Sequence, residues 1–221
     1  MELLTKPTRV DLAAADASSV LVLAPAAEAV PRLVVLLSRG CFVRCTTGMS
    51  LRGLLLDQFR ISPVYLEREI KIVFLDSSPV DDLDAAIVRD GARIALSAAM
   101  PGLAGAAMRR DGLGWVRASI THHETSADRP VAEGVMLLKL FNQVMEELGP
   151  GFLSRGVYVQ GPMLADFLQG LDARFWQRCP IGFNGVALGP EALAERLSGD
   201  PAWLRLTMHL EASNPEAYPW R

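Results

Sequence analysis

The sequence predicts an α+β fold in which one set of strands and helices occurs twice. A tetrapeptide, Leu-Ser-Arg-Gly, stands at residues 37–40 and returns at 153–156. Around both copies the elements follow the same order: an apolar strand, a short helical stretch, a second strand, an amphipathic helix and later strands. The apolar positions keep their phase although few residues are identical, which is what a shared fold preserves. We therefore expect a duplicated domain; the alternative is coincidence between two ordinary α+β segments.

The strands of the first copy are predicted from apolar or alternating runs bounded by turn residues. They are residues 20–24, 41–45, 70–75 and 93–98. After the second strand, Ser50 can cap a helix with one apolar stripe, formed by Leu51, Leu54, Leu55 and Phe59. The first domain is therefore placed at 20–98, after a loose polar lead-in at 1–19.

The second copy repeats this order of elements. Its predicted strands are residues 135–141, 157–160, 181–188 and 203–210. A helix follows Pro162, where Leu164 opens a run of apolar residues at helical spacing. These elements place the second domain at 134–211, with a tail at 212–221 and a linking segment at 99–133.

Three short motifs carry a resemblance to a known family. They are KLF followed by VMEEL at 139–148, FNG at 183–185, and PVDDLD with VRDGARIAL at 79–96. With the element order, they resemble the β-grasp (ubiquitin-like) sulfur carriers of molybdopterin and thiamine synthesis, the MoaD/ThiS type. The resemblance implies two β-grasp domains in tandem, each a mixed sheet packed on one main helix. It also implies a link to sulfur-transfer or molybdenum/tungsten cofactor pathways.

The sequence departs from these carriers where their chemistry occurs. A carrier of this type needs a terminal Gly-Gly, because its carboxylate is adenylated and thiolated. The sequence has no Gly-Gly pair and ends in YPWR at 218–221. The stretch most similar to such a terminus is PGLAG at 101–105, after which the chain continues. Carrier activity would therefore require cleavage near Gly105.

The segment after the first copy contains the candidate partner-docking residues. They are Met100, Pro101, Gly102, Leu103, Gly105 and Met108, with the basic residues Arg109 and Arg110 beside them. One interpretation is a tail that docks in a partner's groove, and the other, which we favour, is a buried helix or linker. Methionine side chains adapt to either role. The two arginines would meet an acidic partner or form a solvated edge.

No residues are predicted to hold a metal or to act in catalysis. His122 and His123 are the metal candidates considered, but neighbours on a strand point to opposite faces and no Cys or His stands at ligand spacing. Cys41 and Cys45 would lie about 13 Å apart on a strand, too far for a disulfide. No nucleophile elbow or phosphate-binding loop occurs, so no cofactor is predicted.

Composition limits the remaining classes of function. The 221 residues are 50% hydrophobic and carry a net charge of −3 without a basic run, which argues against nucleic-acid binding. No apolar run reaches the roughly 20 residues of a membrane span, and residues 1–11 lack the apolar core of a signal peptide. Unpaired thiols fit a reducing compartment, so we expect a cytoplasmic protein.

These observations favour a non-catalytic protein-interaction module with a protein partner, and they leave self-association open. Two alternatives stay open with it. One is a sulfur carrier matured by cleavage near Gly105. The other is a small enzyme with a site between the two domains, for which His122, His123 and Arg109 would be the candidates.

Overall fold

The computed structural model describes residues 5–100, 102–110, 120–123, 130–198 and 203–209. In chain order the strands are β1 (Val20–Leu23), β2 (Cys41–Thr47), β3 (Ile72–Leu75), β4 (Ser78–Pro79), β5 (Arg93–Ser97), β6 (Ala132–Phe141), β7 (Val157–Gln160), β8 (Ile181–Phe183), β9 (Val186–Leu188) and β10 (Trp203–Met208). The α-helices are α1 (Arg9–Ser18), α2 (Val30–Val34), α3 (Leu36–Arg39), α4 (Leu51–Gly53), α5 (Pro63–Arg68), α6 (Gly102–Met108), α7 (Asn142–Arg155), α8 (Gly161–Gln169), α9 (Ala173–Trp176) and α10 (Pro190–Ser198). A 3₁₀ turn covers Ala27–Ala29, and a π-helix covers Leu54–Gln58. The predicted α+β class is therefore confirmed.

The chain divides into two compact units. Unit 1 takes its described residues from 5–36 and 150–209, and unit 2 from 37–149. The strands of unit 1 lie in the order β7-β10-β1-β8-β9. In this sheet β1 runs parallel to β10, and the other neighbours are antiparallel. Unit 1 is thus a mixed sheet with helices.

Unit 2 also contains a five-stranded mixed sheet. Its strands lie in the order β4-β3-β5-β6-β2, with β5 and β6 parallel and the remaining neighbours antiparallel. The sheet buries long apolar runs, among them Val135–Leu138 on β6, because both faces of this strand are covered. The Asp90-Gly91 turn docks on β6: the amide of Val135 donates to Asp90 Oδ1 at 3.0 Å.

The compact units do not follow the predicted domains 20–98 and 134–211. Strand β1, predicted for the first domain, lies in unit 1 between β10 and β8, and β6, predicted for the second domain, lies in unit 2 between β5 and β2. The apolar pattern fixes which residues of a strand are buried, but any neighbouring strand with a matching face, parallel or antiparallel, can satisfy it. The pattern therefore predicts the strands without predicting their partners.

The lead-in at 1–19 was predicted to be loose, and most of its described part is helix α1. Thr8 and Asp11 form a reciprocal capping box at its start: the Asp11 amide donates to Thr8 Oγ1 at 3.2 Å, and the Thr8 amide donates to Asp11 Oδ2 at 2.7 Å. Leu12 and Ala15 are buried on its inner face. This helix was not predicted, although Thr8 and Asp11 stand at the spacing of a capping box.

Parts of the predicted connections lie outside the described residues. These parts are 1–4, 101, 111–119, 124–129 and the whole tail 212–221. Within the linking segment 99–133, residues 102–108 form α6 and the last two residues already belong to β6. Among the described residues, no helix combines the length and the apolar character required to cross a membrane.

Candidate functional site

The predicted docking segment folds as a helix over most of its described length. Met100 precedes α6 and is 42% exposed, and Gly102 opens the helix with a φ of +78°. Gly105 is buried, and a Cβ there would lie 1.8 Å from the carbonyl oxygen of Met100. Only glycine fits this close approach. Pro101 and the side chain of Leu103 lie outside the described part of the chain.

The basic end of the segment points into unit 2. Met108 and Arg109 are half-buried, whereas the side chain of Arg110 is only 12% exposed. Arg110 Nη1 donates to the carbonyl oxygens of Leu66 and Ile70 at 3.4 and 3.3 Å. This guanidinium is therefore bound within the fold rather than presented to a partner.

The two histidines differ in how deeply they are buried. The His122 amide donates to the carbonyl of Pro79 at 2.7 Å, and the side chain is half-buried, whereas His123 is exposed. Thr121 Oγ1 donates to Asp81 at 2.6 Å. Within the described ranges, no three His, Cys, Asp or Glu side chains converge to hold a metal ion.

The three thiols are poor nucleophiles. Cys41, Cys45 and Cys179 are buried and none forms a disulfide. Burial raises the pKa of Cys41 to about 12 and that of Cys179 to about 11. Burial, with the nearby Asp90 carboxylate, raises the pKa of Cys45 to about 12. All three remain protonated at neutral pH, and a thiol rather than a thiolate does not attack a substrate.

The most exposed part of either sheet is strand β9. All three residues of β9 are exposed or half-exposed. Val186 is 63% exposed, and β9 pairs with β8 as its one neighbour among the described strands. In unit 2 the outer strand β4 has two residues, and the Pro79 carbonyl already accepts a hydrogen bond from the His122 amide. Strand β9 is therefore the open edge in the described structure.

A groove lies between β9 and helix α10. It encloses about 640 Å³, its apolar side is formed by Phe183, Val186 and Leu188, and Glu195 and Arg196 stand on the helix side. The guanidinium of Arg196 lies 5.1 Å from the ring centre of Phe183. This is a cation–π contact, which orients the arginine without neutralising its charge. We call this site, with the free side of β9, the edge groove.

Asn184 holds the edge groove in place. Its backbone has a φ of +49° and, with Gly185, it closes the β8–β9 hairpin in the left-handed region that Asn and Gly tolerate. Its side chain accepts from the Val20 amide at 2.9 Å and donates to the Ser18 carbonyl at 2.6 Å. The hairpin is therefore fixed to the start of β1. In the sequence, residues 181–188 were predicted as one strand containing the FNG motif, and this anchoring role was not predicted.

The edge groove contains none of the predicted docking residues. Its sequence signal is the run Val186-Ala187-Leu188, which places apolar residues on a short strand without a polar alternate position. Searches against protein-family models, curated proteins and solved structures find no match to this chain. The resemblance to sulfur carriers therefore stays a prediction, and the site is interpreted from its geometry.

Proposed function

We propose that this chain is a non-catalytic protein-interaction module that binds an extended segment of a partner protein along β9. The observation that carries the proposal is an exposed apolar outer strand with a groove beside it. Unpaired strand edges are templates for a further strand, and natural proteins usually shield them with charges, proline or a covering segment. In β9 no lysine, proline or described segment does so.

The backbone of Ala187 is the hydrogen-bonding group of this edge. A two-residue turn closes on a bonded pair, here Phe183 and Val186. Opposite residues of an antiparallel ladder alternate between bonded and non-bonded pairs, so the N–H and C=O of Ala187 point away from β8. A partner strand would pair with these two groups. One residue gives few main-chain bonds, so the groove must supply much of the affinity.

The groove defines the partner's chemistry. Val186 and Leu188 lie on the groove side of β9, and they would contact apolar side chains at alternate positions of an added strand. Arg196 makes no ion pair with a described residue, and a carboxylate on the partner would pair with it. We therefore infer an extended segment with alternating apolar residues and one acidic residue.

The alternative roles have less support. For a carrier, Gly105 would have to become an exposed tail, but it is buried within α6 against the Met100 carbonyl. The link to sulfur-transfer or molybdenum/tungsten cofactor pathways rests on the sequence resemblance alone. Intact-mass analysis of protein from its native cells tests the carrier directly. A thiocarboxylate form ending near Gly105 would support it, and full-length protein near 24.0 kDa alone would exclude it.

The edge groove is tested with peptides selected from a random displayed library against the full chain. We expect selected peptides to contain alternating apolar residues. Val186→Lys should weaken their binding about tenfold or more, because lysine is the residue that natural edges use against strand addition. Val64→Lys is a matched control, since Val64 is also 63% exposed but lies on α5 in unit 2.

Hydrogen exchange separates strand addition from simple contact. If a peptide adds to β9, the Ala187 amide should exchange more slowly in the complex, while a control amide such as that of Val64 is unchanged. Failure to select any peptide, equal binding by the Val186→Lys variant, or an unprotected Ala187 amide would each exclude the proposal.

A further inference from the structure

A second surface pocket of unit 1 is lined by three arginines. Arg32 lies on α2, Arg174 lies on α9, and Arg178 follows α9 by two residues. The pocket encloses about 450 Å³, and Phe175 contributes an aromatic ring to its lining. We call it the arginine pocket. It shares no lining residue with the edge groove.

Two of the arginines are held in place by carboxylates. Arg32 Nη1 lies 2.8 Å from Asp172 Oδ1, and its guanidinium carbon lies 5.6 Å from the centre of the Phe175 ring. Arg178 forms an ion pair with Glu28. Each pair uses a small share of the five N–H donors of a guanidinium, so further donors remain on both side chains.

Arg174 differs because it forms no ion pair with any described residue. The pocket therefore carries three positive charges against the two carboxylates of Glu28 and Asp172. Like charges gathered at one surface repel each other. The Asp172 carboxylate attracts Arg174 as well as Arg32, but the two carboxylates do not offset all three positive charges. An anion bound between the guanidinium groups would do so.

We propose that the arginine pocket binds a phosphomonoester dianion, carried by a small molecule or by a phosphorylated side chain. Arginine forks match the oxygens of phosphate, and three terminal oxygens can contact three guanidinium groups at once. A single carboxylate has two oxygens and one charge, and it would only repeat the pairs that Glu28 and Asp172 already form. A dianion fits both the number of cations and their unused donors.

The test is a titration of the full chain followed by NMR of the arginine Nε–H signals. The probes are inorganic phosphate, phenyl phosphate and a phosphoserine peptide, with acetate and unphosphorylated peptide as controls. We expect saturable shifts of the Arg174 signal that weaken as salt is added. Arg174→Gln should weaken binding about tenfold, the loss expected for one charge-assisted contact.

Two further variants test whether the phosphate binds in the arginine pocket. Glu28→Gln should strengthen binding severalfold, because it releases Arg178 from its carboxylate. Arg68→Gln removes an exposed arginine of α5 in unit 2 and should leave binding unchanged. These side chains are all at the surface, so thermal unfolding should show that each variant folds.

The probes also distinguish the two sources of phosphate. Tighter binding of the phosphopeptide than of phenyl phosphate would place the group on a protein, and the reverse would place it on a small molecule. Absence of saturable binding by all three phosphates would overturn the proposal. So would equal binding of acetate, or an equal loss in the Arg174→Gln and Arg68→Gln variants. None of these outcomes depends on the edge groove.

Discussion

Arg110 Nη2 lies 3.0 Å from Glu67 Oε2, and this ion pair ties the second residue after α6 to helix α5. Glu67 also pairs through Oε1 with Arg52 at 2.8 Å, and Arg52 reaches Asp84 at 3.0 Å. The backbone of Arg110 adds a bond from its amide to the Lys71 carbonyl at 2.8 Å. The basic residue that the sequence offered as a docking candidate is thus part of a network inside unit 2.

Replacing Arg110 should therefore destabilise the protein. Arg110→Ala leaves the carbonyls of Leu66 and Ile70 without this donor and removes the partner of Glu67. We expect a loss of about 2 kcal/mol in the free energy of unfolding, because buried charged hydrogen bonds are expensive to leave unmade. Chemical denaturation measures it, with Arg68→Ala as the exposed control. Equal midpoints for the two variants would show that Arg110 is not structural.

The Glu67 network should make stability depend on pH in the acidic range. Its hydrogen bond with Arg52, and then the charges of Arg110 and Arg52, hold the pKa of the Glu67 carboxyl below its usual value of 4.5. A carboxyl with a lowered pKa in the folded state stabilises the protein above its unfolded pKa, and this contribution is lost as the pH falls through the folded pKa.

The pH effect of Glu67 is measured as a difference between two proteins. Glu67→Gln should be less stable than the wild type at pH 7 by up to about 1 kcal/mol, since the side chain is half-exposed. The difference should shrink as the pH falls below 4.5. A difference that is constant with pH would assign the effect to packing rather than to charge.

The buried thiols should resist modification in the folded protein. With pKa values raised to about 11 or 12, Cys41, Cys45 and Cys179 have almost no thiolate at pH 8. We expect a disulfide reagent such as Ellman's to react very slowly with native protein and with three thiols after denaturation. The unfolded chain loses these protons first, so stability should also fall as the pH rises above 9. Rapid reaction of one native thiol would identify a site that opens.

Gly134 should be sensitive to the addition of a single methyl group. A Cβ at this position in β6 would lie 2.6 Å from Thr47 Cγ2 and 2.8 Å from Asp90 Oδ1. Gly134→Ala must displace the Asp90 turn or the β2 neighbour, and we expect a loss of about 1–3 kcal/mol by denaturation. Gly182→Ala is the control, because its Cβ would meet its nearest neighbour, Val22, at 4.0 Å. Similar losses at both positions would contradict the steric explanation.

Local patterns in the sequence predicted the elements well and their assembly less well. Strand β7 occupies the predicted residues, and β2 begins at the predicted Cys41. Helix α5 was not predicted, although Ser62 caps it and Pro63 stands at its first position, where proline is favoured. The partners of β1 and β6 were not predictable from apolar phase alone. The placement of β1 beside β10 and of β6 beside β5 and β2 therefore required the structure.

The candidate site was harder to predict from the sequence than the strands and helices were. Pocket residues such as Arg32 and Arg174 are distant in the chain and adjoin only after folding. Exposure of β9 depends on which strand lies at the sheet edge, and the apolar pattern does not specify this. The docking residues were predicted within 99–133, the segment that the repeat does not include. Within its described part, Gly105 and Arg110 are needed for packing.

Asn184 provides a final test, because it connects fold stability with the edge groove. Asn184→Gly keeps a residue that tolerates the positive φ but removes the side-chain bonds to Val20 and Ser18. Asn184→Ala removes the bonds and also strains the turn. We expect losses of about 1 kcal/mol for glycine and more for alanine in the free energy of unfolding.

Peptide binding should be weakened in both Asn184 variants, although their losses of stability differ. Both variants release the hairpin from the start of β1, so both should bind the peptides selected on the edge groove more weakly while the protein remains folded. Arg174→Gln is the control, since its pocket does not include the hairpin. If both Asn184 variants bind peptide as tightly as the wild type, the position of β9 does not depend on this anchor.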